Sequence, residues 1–199
     1  FPGSRTVSYG YDDASRRTSI TYPGGSNQVT YGYDNADRLT SVTDWNSNAT
    51  SYSYDDANRL TTKTLPSGTG IVSSYTYDTA DRLTDIDHVK NGSTTIASVS
   101  YTLDAVGNRT QRVDDAGTHT YAYDDLYRLT SVTYPGPSTT TYAYDAFGNR
   151  TSMTKPGSQT TTYAYNDGDR ITSVTPPSPA SSISYTWDDN GNLTNRGSD

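Results

Sequence analysis

The 199-residue chain has no cysteine, so neither a disulfide framework nor a thiolate metal site holds it together, and its redox compartment stays open. No apolar run approaches the length of a membrane-spanning helix and there is no signal-like start, so nothing in it reads as crossing a bilayer. A basic stripe is missing as well. Net charge −7 and a pI near 4.6 argue against nucleic acid, whose phosphates favour Lys and Arg. Aliphatic residues are scarce: Leu, Ile, Val and Phe number 26, a fraction that with this charge ordinarily signals disorder. The chain opens on Phe1-Pro2-Gly3 instead of Met and closes mid-pattern after Asn195-Arg196, which reads as a processed product or a segment of a longer array.

What is present opposes disorder. There are 19 Tyr and 34 Thr, both strand formers, and the tyrosines are regularly placed, so a packed aromatic face replaces an aliphatic core. Aligned on itself, the chain gives nine units, with first tyrosines at Tyr9, Tyr31, Tyr52, Tyr75, Tyr101, Tyr121, Tyr142, Tyr163 and Tyr185. A single array over residues 1–199 is therefore expected. Eight of the nine fourth positions are Asp (Asp12, Asp34, Asp55, Asp78, Asp104, Asp124, Asp145 and Asp188), and the ninth is Asn166. Three residues later stand Ser15, Asp37, Asn58, Asp81, Gly107, Tyr127, Gly148, Asp169 and Gly191, of which seven are Gly, Asn or Asp. Those types tolerate positive φ.

This pattern predicts a type I turn followed by a left-handed residue and a bulge, closing a β-hairpin. The Asp carboxylate is expected to accept the backbone N–H two residues on. In the second unit that turn sets Asp34 against Arg38, Tyr33 against Leu39, Gly32 against Thr40 and Tyr31 against Ser41, so both tyrosines share one face. The residue between the tyrosines is small in every unit, and tyrosines of neighbouring units are expected to stack. Return turns are read at Pro23-Gly24-Gly25, Asn46-Ser47-Asn48, Pro66-Ser67-Gly68, Asn91-Gly92, Asp115-Ala116-Gly117, Pro135-Gly136-Pro137, Pro156-Gly157 and Pro176-Pro177. Two strands and two turns fill each unit and leave no room for helices. The expected fold is all-β: tandem β-hairpins in a continuous antiparallel meander of about 18 strands, which has to curl or spiral because open sheets rarely extend that far. Stability then grows with unit number, and each end exposes an edge for self-association.

The motif stands as Tyr31-Gly32-Tyr33-Asp34-Asn35-Ala36-Asp37-Arg38-Leu39-Thr40 and as Tyr142-Ala143-Tyr144-Asp145-Ala146-Phe147-Gly148-Asn149-Arg150-Thr151, with seven further variants. It resembles the YD repeat of the Rhs family, the Tc toxin C-components and the teneurins, over nearly the whole chain. The resemblance implies a β-strip that spirals into a hollow shell or tube, which in family members encloses a toxic C-terminal polypeptide or buttresses an adhesion receptor. The Asp-Pro-x-Gly-Leu segment associated with self-cleavage in the Rhs core is not present, so no cleavage residues carry over.

No constellation points to catalysis. The motif Asp residues recur in equivalent turns, whereas a glycosidase needs two acids at a fixed separation in a cleft. His88 and His119 lie outside the motif, and no Gly-x-Ser-x-Gly, His-Glu-x-x-His or phosphate-loop pattern accompanies them. Asp188-Asp189-Asn190-Gly191-Asn192 lacks the spacing and distal Glu of a calcium loop and reads as a turn. No cofactor or metal is expected. Arg16, Arg38, Arg59, Arg82, Arg128 and Arg170 share one motif position, where Asn108, Asn149 and Asn192 replace Arg; bidentate pairing with the motif Asp and stacking on Tyr are expected of them. The sequons at Asn48, Asn91, Asn108, Asn149 and Asn192 arise readily in a Thr-rich repeat.

The expected function is a non-catalytic structural wall of a secreted YD-repeat shell or extracellular filament, with further repeats or a toxin or effector as partner. The alternative is a carbohydrate-binding, adhesive surface, on which Tyr, Asn and Asp meet a glycan.

Overall fold

A computed structural model describes residues 5–136 and 138–198. Phe1-Pro2-Gly3 and the Pro137 of one expected return turn lie outside the described residues. Two compact units are present, 1–101 and 102–199. The first carries β1 (Ser8–Tyr11), β2 (Arg17–Thr21), β3 (Gln28–Tyr33), β4 (Leu39–Thr43), β5 (Ala49–Tyr54), β6 (Leu60–Thr64), β7 (Ile71–Tyr77), β8 (Leu83–Lys90) and most of β9 (Thr94–Leu103). The second carries β10 (Arg109–Asp114), β11 (Gly117–Tyr123), β12 (Leu129–Tyr134), β13 (Ser138–Tyr144), β14 (Arg150–Lys155), β15 (Gln159–Tyr165), β16 (Ile171–Thr175), β17 (Ile183–Trp187) and β18 (Leu193–Ser198). Within each unit every ladder joins strands consecutive in the chain, and all are antiparallel. The fold is thus all-β, an open antiparallel meander in each unit. Among the described residues no helix is long and apolar enough to cross a membrane.

The register departs from the simple count by one residue. Tyr33 pairs with Leu39 as expected, but Gly32 pairs with Ser41 and Tyr31 with Val42, leaving Thr40 as an extra, bulged residue. The same slip leaves Thr18, Thr61, Thr84, Thr130, Thr151, Thr172 and Thr194 unpaired in their hairpins. The invariant Thr of the motif is therefore a bulge residue, and its hydroxyl has local work: Thr61 and Thr84 donate to the carbonyls of Ser53 and Thr76, each at 3.2 Å. Because side chains alternate across a strand, a one-residue slip exchanges faces. Here it brings Val42, Val132, Met153 and Val174, instead of the preceding serines, opposite the first tyrosines. The apolar side chains are thereby collected on the tyrosine side.

Burial follows that alternation. In β5, Tyr52 and Tyr54 are half-buried while Ser51 and Ser53 are exposed, and β11 and β13 repeat the pattern. Among the described residues only Val132, Ser73 and Thr140 count as buried, and no large side chain is fully enclosed. A single layer with so little core depends on what each repeat makes with the next.

Candidate functional site

Each motif turn is built around its fourth residue. In all nine, the N–H of that residue donates to the carbonyl of the eighth at 2.9–3.0 Å, and the N–H of the seventh donates back at 2.9–3.2 Å. All nine seventh residues have positive φ, from 57° at Asp169 to 98° at Gly107, Ser15 and Tyr127 included. The carboxylate closes the loop. Asp34 Oδ1 accepts the N–H of Ala36 at 2.9 Å, the bond expected from the turn type, and also that of Arg38 at 3.0 Å.

The second oxygen takes the side chain of the eighth residue. Asp34 Oδ2 accepts Arg38 Nε at 2.7 Å, and Asp145 Oδ2 accepts Asn149 Nδ2 at 3.1 Å. The bidentate pairing expected of Arg with its own Asp takes a one-oxygen form: Arg59 brings both Nε and Nη2 to 2.7 Å from Asp55 Oδ2, because Oδ1 is taken by the backbone N–H groups. Nε stays at home while Nη1 of Arg38 extends to the next turn, meeting the Asp55 carbonyl at 3.0 Å and Asn58 Oδ1 at 2.8 Å. Arg16 does the same toward Asp34 and Asp37, and Arg59 toward Asp78 and Asp81. On the way each guanidinium lies over the second tyrosine of the following repeat: Arg16 over Tyr33 at 5.0 Å, Arg38 over Tyr54 at 4.9 Å, Arg59 over Tyr77 at 4.9 Å and Arg128 over Tyr144 at 4.8 Å. A planar, delocalised cation suits both contacts.

The same tyrosines fasten the joint in the opposite direction. The hydroxyl of Tyr54 donates to the Leu39 carbonyl at 2.9 Å and that of Tyr144 to the Leu129 carbonyl at 2.9 Å, with Tyr33, Tyr77, Tyr123 and Tyr165 alike. Trp187 substitutes its indole N–H, donating to the Ile171 carbonyl at 2.8 Å. Among the described residues, Tyr101 aside, this Arg–Tyr layering stands where the periodicity led us to expect ring-on-ring stacking between motif tyrosines. Leaving Tyr101 aside, the close ring pairs among the described residues are Tyr22–Trp45 and His119–Tyr134. Arg is the better neighbour because it also satisfies the carbonyls of the next turn.

The hydrogen bonds depress the motif carboxyls. For Asp34 the backbone N–H of Arg38 is the largest influence and its guanidinium the next. For Asp104 and Asp145, whose partner is Asn, burial is the largest single influence and pushes upward, but the Asn amide and turn N–H bonds together outweigh it. Arg16 and Arg59 are in turn raised, first by Asp12 and Asp55.

One turn of this kind was not legible as such. Asp44, on a return turn, accepts Asn46 N–H at 2.8 Å, Asn48 N–H at 2.8 Å and Asn48 Nδ2 at 2.9 Å, with Ser47 at φ 64°. The Asp-x-x-x-Asn spacing that it shares with Asp145 and Asn149 was the available signal. Register alone also brings Ser73 against His88, with Oγ and Nδ1 2.7 Å apart. Ser73 is only 5% exposed, so the pair satisfies a buried hydroxyl and offers no approach to a substrate. Four sequon amides, those of Asn48, Asn108, Asn149 and Asn192, are held by Asp carboxylates. The Asp188–Asn192 segment forms another motif turn, and among the described residues no group of three or more acidic, His or Cys side chains is placed to hold a metal.

The family model of the teneurin YD-shell matches residues 71–199, and that of the RHS repeat matches residues 1–27. Comparison with curated protein sequences gives no match. Among solved structures, the chain is similar to the Tc holotoxin pore of Photorhabdus luminescens, with TM-score 0.65 at 18% identity over 96% of this chain and 13% of that one. It is similar to TcdB2-TccC3 without its hypervariable C-terminal region, with TM-score 0.69 at 21% identity over 95% and 12%, and to TcdB2-TccC3-Cdc42, with TM-score 0.68 at 20% identity over 95% and 12%. These likenesses establish the fold. The chain spans only 12–13% of the length of these solved chains.

Proposed function

We propose, from the premise that this chain belongs to the teneurin YD-shell family, that it is a stretch of wall: one continuous array of nine hairpins whose work is to enclose, not to catalyse. The observation that carries this reading is the repeating joint. The motif Asp, Arg and second Tyr are each committed to their own turn or to the adjacent repeat, which is what a surface extended by nearest-neighbour contacts requires. The compartment proposed is extracellular or cell-surface, and the contents proposed are a toxin or effector polypeptide, with further repeats of the same kind continuing the sheet. Electron microscopy of the native particle tests this. Class averages with a hollow, thin-walled shell or tube are expected, and cargo inside it is expected to resist protease until the wall is unfolded. A solid particle without a lumen sinks the reading.

A glycan-binding surface is a second reading, motivated by the exposed edge-to-face pair of Tyr22 and Trp45, 5.8 Å apart. A glycan array that shows no binding, or binding unchanged by Trp45→Ala, retires it.

A further inference from the structure

Two joints share their tyrosines, their ring-stacked ninth-position Arg and their receiving Asp, and differ most at the side chain that spans them. In the first, Arg16 lies 5.0 Å over Tyr33, bonds Asp12 Oδ2 at 2.7 Å, the Asp34 carbonyl at 3.1 Å and Asp37 Oδ1 at 2.6 Å, while Arg17 lies 4.5 Å over Tyr31. In the seventh, Asp145, Tyr165, the Asn166 carbonyl and Asp169 take the corresponding places, and Arg150 lies 4.5 Å over Tyr163 just as Arg17 does over Tyr31. The position of Arg16, however, is held by Asn149. Its short amide reaches Asp145 Oδ2 at 3.1 Å and Asp169 Oδ1 at 2.7 Å and ends there. Beyond it a cleft of about 480 Å³ opens, lined by Phe147, Tyr165, Asp145 and Asp169 among others.

We propose that this cleft is a docking site for an arginine side chain of another polypeptide segment. The guanidinium lies over Tyr165, pairs with Asp169 and donates to the Asn166 carbonyl, as the chain's own Arg16 does toward Tyr33, Asp37 and the Asp34 carbonyl six repeats earlier. The fit is chemical as well as spatial. Neither Asp145 nor Asp169 has a Lys or Arg partner among the described residues, so two carboxylates share one neutral amide beside an aromatic face. Arg150 on the neighbouring ring does not forbid a second cation, because Arg16 and Arg17 already stand together on adjacent rings. Phe147, 84% exposed, flanks the cleft where the corresponding residue of the first joint is Ala14, and supplies an apolar wall for a methylene stem. The fifth joint, also closed by Asn, has Tyr127 where the seventh has Asp169 and lacks the second carboxylate. Arg is favoured over Lys because only a planar fork can stack and pair at once.

The test is titration of the isotope-labelled full chain with N-acetyl-arginine amide, followed by NMR, with the isosteric neutral N-acetyl-citrulline amide as control. Saturable shifts at Phe147, Tyr165 and Asp169 are expected, with citrulline binding at least about tenfold more weakly, since both the charge-assisted pair and the ring contact need the positive charge. Asn149→Arg, which supplies a guanidinium from within, removes the response at those residues. Asp169→Asn weakens it by about tenfold on the same grounds and serves by itself if Asn149→Arg folds poorly. No response to arginine, an equal response to citrulline, undiminished binding in a folded Asn149→Arg chain, or shifts spread evenly over all Asp-led turns overturns the proposal.

Discussion

The two units solve the same joint differently. In residues 1–101 all four motif turns end in Arg (Arg16, Arg38, Arg59 and Arg82), and their exposed sixth positions are Ala14, Ala36, Ala57 and Ala80. In residues 102–199 the turns alternate Asn108, Arg128, Asn149, Arg170 and Asn192, and three consecutive sixth positions, Val106, Leu126 and Phe147, are apolar and 61%, 66% and 84% exposed. Closing a turn and joining it to the next are therefore separable tasks. Asn closes its own loop as well as Arg does, with the same Asp oxygens accepting its amides, but it is too short to stack over the following tyrosine and reach its turn carbonyl. In two of the three Asn turns Arg stands at the ninth position instead, as Arg109 and Arg150, whereas Asn192 is followed by Leu193. Arg150 then sits between the rings of Tyr142 and Tyr163, with its Nε left without a partner. The first unit is the more uniformly riveted; the second keeps open chemistry on its rim.

Acid separates the Asp-led turns of the first unit from the Asn166-led turn of the second most strongly. The motif carboxyls are depressed in the folded chain from an ordinary value of 3.8, so their stabilisation is fully present above that value and is lost as pH falls through the lower folded values. A cooperative loss of structure below about pH 4 is expected on that basis. Hydrogen exchange, corrected for its intrinsic pH dependence, sharpens the contrast: the N–H groups of Ala36 and Arg38 on Asp34 lose protection first, while those of Gly168 and Arg170, held by the neutral Asn166, outlast them locally. Equal loss at both turns contradicts a carboxylate-driven transition.

Gly148→Val comes next. Gly148 has φ 95°, beyond the left-handed range that the seventh residues of the first unit occupy, and a β-branched residue there costs about 1–3 kcal/mol. Denaturant unfolding measures it, and an unchanged midpoint refutes the turn strain. Removing one hydroxyl from each unit has a smaller effect. Tyr54→Phe, behind Arg38, and Tyr165→Phe, behind Asn149, each delete a bond to a bulge-side carbonyl, of 2.9 Å and 3.1 Å, and are expected to cost about 0.5–1.5 kcal/mol apiece. Similar values in the two units mean that the tyrosine fastening is independent of which side chain closes the turn. Arg38→Lys is the mildest change: it keeps the charge, gives up the planar stack and the Nη1 reach, and lowers the melting temperature by less than either tyrosine change. A drop as large as that of Gly148→Val overturns the ranking.

How far the sequence could be read depended on the range of each interaction. The hairpin loops were legible because every group that shapes them lies within four residues: the Asp, the positive-φ residue and the backbone amides between them. The pairing of Gly32 with Ser41 was not, since the bulge at Thr40 forms only when the return strand has a partner and a half-buried face to satisfy. Asp44 was not legible as a turn leader because Ser41-Val42-Thr43, and not a Tyr-x-Tyr, stands before it. The Arg-to-next-turn bonds were out of reach for a different reason: Arg38 and Asn58 are 20 residues apart, and nothing in either motif says which of two neighbours a long side chain will choose.

By itself the amino-acid order determined the all-β class, the nine loops, eight led by Asp and one by Asn, and the placement of tyrosines on one side, because local backbone preference and two-residue alternation settle all three. The three-dimensional arrangement decided the bulged register, the direction in which each guanidinium reaches and the cleft beside Asn149. Those depend on how far a side chain extends across the gap to the adjacent hairpin, a distance that exists only once the strands have been laid next to each other.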